Sequence, residues 1–215
     1  MSDELEVLRV VSERLESLGL RYMLTGSFAM AFYTTPRMTR DLDLVVELAQ
    51  AKVSPLVAAF SPDFYVDEDV ARDAVRHARL FNLMHLGTGL KVDLIVRKDL
   101  PFRRLEFERR RQVTVGNTSL WVVSREDLIL SKLVCRMTDT TPEMAKRVAE
   151  RHAEMTVEER VRAAASMYET ARAIVEASIP AGIQGEARRY QVLKRFYGDE
   201  VPEAALRACA AWQIG

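Results

Sequence analysis

The sequence predicts an α+β fold over residues 1–136, followed by an all-α region over residues 137–215. Two observations support this prediction. In the first region, segments with apolar residues at helical spacing alternate with short apolar runs bounded by turn residues, which is typical of alternating helices and strands. Beyond Met137 the apolar residues recur at helical spacing, and no convincing strand pattern is found.

Six short segments of the first region are predicted to be strands. Gly87-Thr88-Gly89 and Gly116-Asn117 each separate two of these segments, and glycine-containing connections of this length are typical of β-hairpins. The second segment begins Asp-Leu-Asp-Leu, an alternation of polar and apolar residues that indicates a strand with one buried face. The six segments are 21–24, 41–46, 80–86, 90–96, 112–115 and 119–123.

The helices are predicted from apolar stripes and from residues that cap helix ends. Leucine and valine repeat at helical spacing in the first helix, and Gly19 follows its last turn. Ser124 and Thr156 are N-cap candidates, each with acidic residues in the turn that follows. The predicted helices are 2–18, 28–33, 50–60, 68–78, 102–110 and 125–136 in the first region, then 142–151, 157–177, 185–196 and 202–212.

Composition excludes several classes of protein. Of the 215 residues, 48% are hydrophobic and 29% are charged, which excludes wholesale disorder. The chain has 31 Lys plus Arg and 31 Asp plus Glu, so its charge gives no global argument for binding nucleic acid or anionic lipid. No stretch has the roughly 20 apolar residues that span a bilayer, and the acidic N-terminus does not fit a secretory signal. The two cysteines fit a reducing compartment, so we expect a cytoplasmic protein.

Three short motifs carry the residues with the clearest chemical potential. Gly26-Ser27 lies between a predicted strand and a helix, where backbone N–H groups, a hydroxyl and the positive end of the helix dipole suit a phosphate. Asp41 and Asp43 alternate on a strand and therefore project to the same face. Asp93 lies on another predicted strand, and its arrival beside the first two acids would complete a site for two metal ions.

The chemistry of these acids favours a hard divalent cation. Adjacent carboxylates repel each other unless a cation neutralises them. Carboxylate oxygens without nearby Cys or His residues favour Mg²⁺ or Mn²⁺ over Zn²⁺. Such a site can activate an attacking hydroxyl and stabilise a leaving pyrophosphate.

Each motif alone also has a structural interpretation. Gly-Ser is a common turn dipeptide, Asp-x-Asp can lie on an exposed strand edge, and Asp93 can be the outward residue of a half-exposed strand. The order and spacing of all three motifs, each flanked by apolar residues, favour the functional interpretation.

With these motifs, residues 1–136 resemble the DNA polymerase β-like nucleotidyltransferase superfamily, in which a Gly-Ser turn precedes an acidic-x-acidic strand and a third acid on a later strand. The stretch from Arg37 to Asp43 is similar to the R-x-T-x-D-x-D of small bacterial members, including abortive-infection-type toxins. Residues 126–133 are similar to their E-D-L-x-x-x-K-L helix.

The resemblance implies a nucleotidyltransferase fold, with a small mixed β-sheet that carries the acids and is flanked by helices. It also implies transfer of a nucleoside monophosphate from a nucleoside triphosphate such as ATP. By this resemblance, Asp41 and Asp43 bind metal and triphosphate. Asp93 also binds metal and helps to activate the acceptor hydroxyl. Gly26-Ser27 would hold the terminal phosphates.

Three further residues are expected to bind the nucleotide by the same resemblance. Arg37 and Thr39 belong to the motif that precedes the acids. Lys132 matches the lysine of the helix motif and is expected to face the triphosphate. An ordinary solvated lysine on a helix is an equally good interpretation of Lys132.

The resemblance ends near Arg136. The sequence from Met137 looks like the start of a separate protein, and residues 137–215 resemble small helical bacterial proteins. We therefore expect a second, helical domain that is fused to the enzyme domain and packs against it. A region of about 79 residues has a marginal core of its own and needs a partner surface.

The expected partners are a nucleoside triphosphate and an acceptor hydroxyl on tRNA, a protein or a small molecule. If the protein is a toxin of a toxin–antitoxin or phage-defence pair, an antitoxin or a homo-oligomer partner is expected as well. No membrane association is expected. The alternative hypothesis is a catalytically silent nucleotide-binding or regulatory module on the same scaffold.

Overall fold

The structure, a computed structural model, describes residues 3–34, 39, 41–134, 150, 153–198 and 200–212. Its strands are β1 (Tyr22–Thr25), β2 (Asp41–Val46), β3 (Phe64–Tyr65), β4 (Leu80–His85), β5 (Lys91–Val96), β6 (Arg111–Val115) and β7 (Thr118–Val122). Its helices are α1 (Asp3–Ser17), α2 (Gly26–Met30), α3 (Val53–Phe60), α4 (Glu68–His77), α5 (Pro101–Glu108), α6 (Arg125–Val134), α7 (Val157–Ala177), α8 (Gly185–Tyr197) and α9 (Glu203–Ala211). The predicted α+β class is confirmed.

The seven strands form one mixed sheet in the order β3-β4-β5-β2-β1-β7-β6. Strand β2 lies at its centre, antiparallel to β1 and parallel to β5. The register between β2 and β5 aligns Asp41 with Lys91 and Asp43 with Asp93. Because directly opposite residues of neighbouring strands project to the same face, these four side chains share one face of the sheet.

The alternation of β2 separates the core from the candidate site. Leu42, Leu44 and Val46 are buried in the apolar core, whereas the residues between them are only partly buried. Hydrophobic burial of these three side chains therefore fixes the strand so that Asp41 and Asp43 face the other side.

Most predicted elements are confirmed, and three details differ. Helix α2 begins at Gly26 rather than at Phe28, so the Gly-Ser pair forms the first turn of the helix after Thr25, which has extended backbone. A 3₁₀ turn over Gln50–Lys52 precedes α3. Strand β3 was not predicted, because its two residues are too few to show an alternating pattern.

The C-terminal helices pack against the sheet region. From α7, Arg160 donates hydrogen bonds to the carbonyls of Ala31 and Phe32, both at 3.2 Å. Arg172, on the same helix, donates to the carbonyl of Thr88 in the β4–β5 connection at 2.9 Å. Buried side chains of both regions belong to one apolar cluster. Helices α7 to α9 therefore share their core with the sheet rather than forming an isolated bundle.

The predicted helix over 142–151 lies almost entirely outside the described residues, as does the start-like sequence at Met137. The division of the chain at residue 136 accordingly stays a prediction. Among the helices that the structure describes, none combines the length and apolar character needed to cross a membrane.

Candidate active site

Three carboxylates converge on the open face of the sheet. One oxygen from each of Asp41, Asp43 and Asp93 lies within 4.8 Å of the other two. Two of the acids alternate on β2, and the third lies opposite Asp43 on the neighbouring parallel strand. The three acids that the sequence singled out are therefore brought together by strand alternation and register.

The surroundings of Asp43 disfavour its ionised form. Burial raises the pKa of Asp43 to about 6, and the charges of Asp41 and Asp93 act in the same direction. Lys132 and Lys91 oppose this shift without cancelling it. An added cation at this point would favour the ionised form of Asp43.

Gly26 lies directly against Asp43. Its backbone φ is +69°, in the left-handed region that side chains rarely adopt, and a Cβ added there would lie 1.8 Å from Asp43 Oδ2. Both the backbone conformation and the absence of a side chain are therefore needed to bring the β1–α2 connection up to the acid.

Lys132 reaches the same connection from helix α6. Its Nζ donates a hydrogen bond to Ser27 Oγ at 3.3 Å, and both residues are partly buried. The start of α6 is held by Ser124, whose Oγ accepts the backbone N–H of Asp127 at 3.2 Å. Lys132 therefore lies against the Gly26-Ser27 pair, and its contact with the triphosphate stays a prediction.

Of the two predicted nucleotide-binding residues that precede the acids, the structure describes only Thr39. Thr39 is buried, and its Oγ1 donates to Asp41, with Oδ1 at 3.1 Å and the backbone carbonyl at 3.2 Å. The hydroxyl of Thr39 therefore orients Asp41, and the nucleotide contact expected of Thr39 stays a prediction. Arg37 lies outside the described residues.

Lys91 was not predicted from the sequence to be a site residue. Its Nζ lies 3.3 Å from Asp41 Oδ2, 3.1 Å from Asp93 Oδ2 and 3.6 Å from Glu200 Oε2. Burial lowers the pKa of Lys91, but the charges and hydrogen bonds of Asp93 and Asp41 outweigh it and the net pKa is raised. The alternation of side chains along β5 could have indicated Lys91, because Lys91 precedes Asp93 by two residues and must share its face.

Asn82 and Glu200 were also missed. Asn82 lies opposite Asp93 in the β4–β5 pairing, and its Nδ2 donates to Asp93 Oδ1 at 2.5 Å. Even so, burial raises the pKa of Asp93 above its ordinary value. Glu200 follows α8, more than 100 residues from Lys91 in sequence, and no local pattern links the two.

A pocket of about 340 Å³ adjoins Asp43 on the same face of the sheet. Its floor includes Val45 and Ile95, which lie opposite each other one alternation beyond the acids. In its wall, Glu106 Oε1 accepts a hydrogen bond from Ser131 at 2.9 Å. The remaining lining residues are Thr25, Gly26, Val96, Arg97, Lys98, Arg103, Leu128 and Lys132.

The chain is similar to solved structures of nucleotidyltransferases and nucleotidyltransferase-like proteins. A candidate nucleotidyltransferase from Thermotoga maritima matches at 16% identity and a TM-score of 0.46, over 70% of this chain and 89% of the other. An antigenic nucleotidyltransferase-like protein from Paracoccidioides brasiliensis matches at 17% identity and a TM-score of 0.46, over 82% and 93%. The lincosamide antibiotic adenylyltransferase LnuA, solved with lincomycin bound, matches at 10% identity and a TM-score of 0.41, over 72% and 93%. No family model and no curated protein matches the chain.

Proposed function

We propose that this chain is a metal-dependent nucleotidyltransferase, which moves a nucleoside monophosphate from a nucleoside triphosphate to a hydroxyl of an acceptor. The observation that carries this proposal is the convergence of Asp41, Asp43 and Asp93 beside the Gly26-Ser27 connection. The motifs that place these residues resemble those of a superfamily that performs this reaction.

The residues present fit a divalent cation. Asp41, Asp43 and Asp93 would hold it between them, because they offer carboxylate oxygens within 4.8 Å of one another. Hard oxygen donors of this kind suit Mg²⁺ or Mn²⁺. When bound, such an ion polarises the phosphate under attack and offsets the charge that develops on the leaving pyrophosphate.

The chain's own residues supply the remaining steps. Asp93 accepts the proton of the acceptor hydroxyl, a role favoured by its raised pKa. The hydroxyl oxygen forms a bond to the α-phosphorus as the bond between that phosphorus and the oxygen bridging to the β-phosphate breaks. Pyrophosphate leaves with the bonding electron pair. Ser27 and Lys132 hold the terminal phosphates, and Thr39 keeps Asp41 in orientation.

The pocket beside Asp43 suits the rest of the nucleotide. Its lining includes Val45 and Ile95, which lie on the same face of the sheet as the acids. A sugar or base can pack against these partly buried apolar side chains. Lys98 and Arg103 add positive charge to its lining. We take ATP as the first nucleotide to test.

The acceptor and biological setting are proposed from the motif resemblance. Small bacterial proteins with the same motifs include abortive-infection-type toxins, so we propose a toxin of a toxin–antitoxin or phage-defence pair. The acceptor is then a hydroxyl of tRNA, of a protein or of a small molecule, and an antitoxin or a second copy of the chain is the protein partner.

One observation favours a second function, that of a catalytically silent nucleotide-binding or regulatory module. Lys91 already neutralises part of the acid cluster through contacts to Asp41 and Asp93. A cluster paired in this way is stable without a metal ion, whereas unpaired buried carboxylates are costly.

A labelling experiment separates these functions. The full chain is incubated with total cell extract, MgCl₂ or MnCl₂, and each nucleoside triphosphate labelled at the α-phosphate. Transfer of label to a macromolecule or small molecule supports the enzyme, and Asp43→Asn is expected to abolish it. The matched control is Asp73→Asn, which is expected to retain transfer. Asp73 is an exposed residue of α4, and its carboxylate pairs with His77. Nucleotide binding without label transfer or released pyrophosphate would instead support the silent module.

A further inference from the structure

Lys91 contacts Asp41 and Asp93, whereas Gly26 lies against the third acid, Asp43. Its ammonium group lies within 3.6 Å of carboxylate oxygens of Asp41, Asp93 and Glu200. The oxygens of Asp93 and Asp41 lie at hydrogen-bond distance from the ammonium, at 3.1 and 3.3 Å, and Glu200 adds a longer ion-pair contact at 3.6 Å. The protein itself therefore supplies anionic partners for this cation.

The surroundings of Lys91 hold it in this place. Its side chain is only 6% exposed. Its backbone N–H donates to the hydroxyl of Tyr197, a buried residue at the end of α8, at 3.3 Å. Withdrawal of the ammonium would break its ion pairs with Asp93 and Asp41, and breaking a buried ion pair is strongly destabilising.

The oxygens of the acid cluster are unequally engaged. Asp93 accepts from Asn82 through Oδ1 and contacts Lys91 through Oδ2. Asp41 contacts Lys91 through Oδ2 alone, and its Oδ1 faces the hydroxyl of Thr39. Asp43 packs against Gly26 and lines the adjoining pocket.

We propose that Lys91 is a fixed cation of the centre, which takes the place of one of the two metal ions of a two-metal carboxylate site. The cluster of Asp41, Asp43 and Asp93 then binds a single divalent ion rather than two, and Lys91 and Asn82 also hold Asp93. This inference rests on the proposed nucleotidyl transfer. A two-metal site needs carboxylates that are shared between ions about 3.5–4 Å apart, and here Lys91 already occupies the shared position between Asp41 and Asp93.

The inference also gives the C-terminal region a part in the centre. Glu200, in the α8–α9 connection, is the third carboxylate on Lys91, and Tyr197 holds the backbone of the same residue. Helix α8 and the residues after it therefore contribute to the position of Lys91.

The test counts metal ions in the full chain, with Mn²⁺ as the metal and α,β-methylene-ATP as a nucleotide that cannot transfer its nucleotidyl group. Crystals of this complex are expected to show one anomalous Mn²⁺ peak per chain in the wild type and two in Lys91→Met. In solution, the electron paramagnetic resonance signal of two coupled Mn²⁺ ions should appear in Lys91→Met only. Lys52→Met, on the exposed turn before α3, is the matched control with one ion.

The outcomes separate this inference from the proposed function. Two coupled ions in the wild type would overturn the proposed role of Lys91, and this result does not depend on whether Lys91→Met folds. If label transfer is observed in that case, the proposed nucleotidyl transfer still stands. One ion in a folded Lys91→Met would also overturn it. The absence of bound Mn²⁺, together with the absence of label transfer, would overturn both.

Discussion

The two lysines that flank the acid cluster are held in different ways. Lys132 extends from a helix to a neutral hydroxyl, Ser27 Oγ at 3.3 Å, and stays partly buried. Lys91 lies on a strand, is buried, and has three carboxylates around it. A cation whose protein partner is neutral retains its charge for an incoming anion, whereas a cation surrounded by carboxylates is already neutralised. From this comparison we propose that Lys132 serves the substrate, whereas Lys91 belongs to the architecture of the centre.

The largest effect is expected at Asp43, the acid that both lysines influence. Asp43→Asn removes the carboxylate most in need of a cation, so metal-dependent transfer should fall at least about 10³-fold, or about 4 kcal/mol of transition-state stabilisation. The measurement is the initial rate of label transfer, with far-UV circular dichroism to verify the fold. A variant with full transfer would contradict the assignment of the catalytic centre.

Lys132→Met tests the substrate side of the comparison directly. Loss of a charged hydrogen bond to the terminal phosphates costs about 1.5–3 kcal/mol, so kcat/KM for the triphosphate should fall about 10- to 100-fold. Lys132→Arg keeps the charge and should recover part of the loss. Because Lys132 partners a neutral hydroxyl, the melting temperature of the metal-free protein should change little. An unchanged kcat/KM with a large loss of stability would make Lys132 a structural residue.

The two sides also differ in how far sequence could predict them. Alternation placed Asp41 and Asp43 on one face, and the resemblance of residues 126–133 to a helix motif of the family pointed to Lys132. Both signals are local, because period and spacing are read within a few residues. The network around Lys91 depends on strand pairing and on Glu200, which is brought in by the packing of the C-terminal helices. No sequence pattern within a few residues predicts a contact of this kind. Only Lys91 could have been predicted, from its alternation with Asp93.

A third prediction concerns the close approach of the β1–α2 connection to the acids. Gly26→Ala adds a Cβ that meets Asp43 and also forces a positive φ on a side-chain-bearing residue, so the free energy of unfolding should fall by about 2–4 kcal/mol. Gly19→Ala is the matched control, because Gly19 has φ +65° and nothing within 4 Å of an added Cβ. It should lose only about 1 kcal/mol. Urea denaturation of both variants measures the difference, and equal losses would show that the contact with Asp43 has no cost.

The smallest predicted effect is the pH dependence of stability in the metal-free protein. The pKa of Asp43 rises from its ordinary 3.8 to about 6 on folding, so the folded state binds a proton more tightly than the unfolded chain does. Stability from this group is therefore fully present below about pH 4 and is lost as pH rises through about 6. The pKa difference sets an upper bound of about 3 kcal/mol on the cost at pH 7, and solvent screening of a partly exposed group reduces it.

Asp43→Asn removes this titration, so the metal-free variant should be more stable than the wild type by about 1–2 kcal/mol at pH 7, with the difference shrinking toward pH 4. Chemical denaturation at a series of pH values, in the presence of a chelator, measures it. Added Mn²⁺ should stabilise the wild type and leave Asp43→Asn nearly unchanged, because only the wild type has the acid that the cation neutralises. If instead the variant were less stable at pH 7 by the same amount, Lys91 and Lys132 together would already neutralise the cluster. The distinction between a lysine kept for substrate and a lysine built into the centre would then fail.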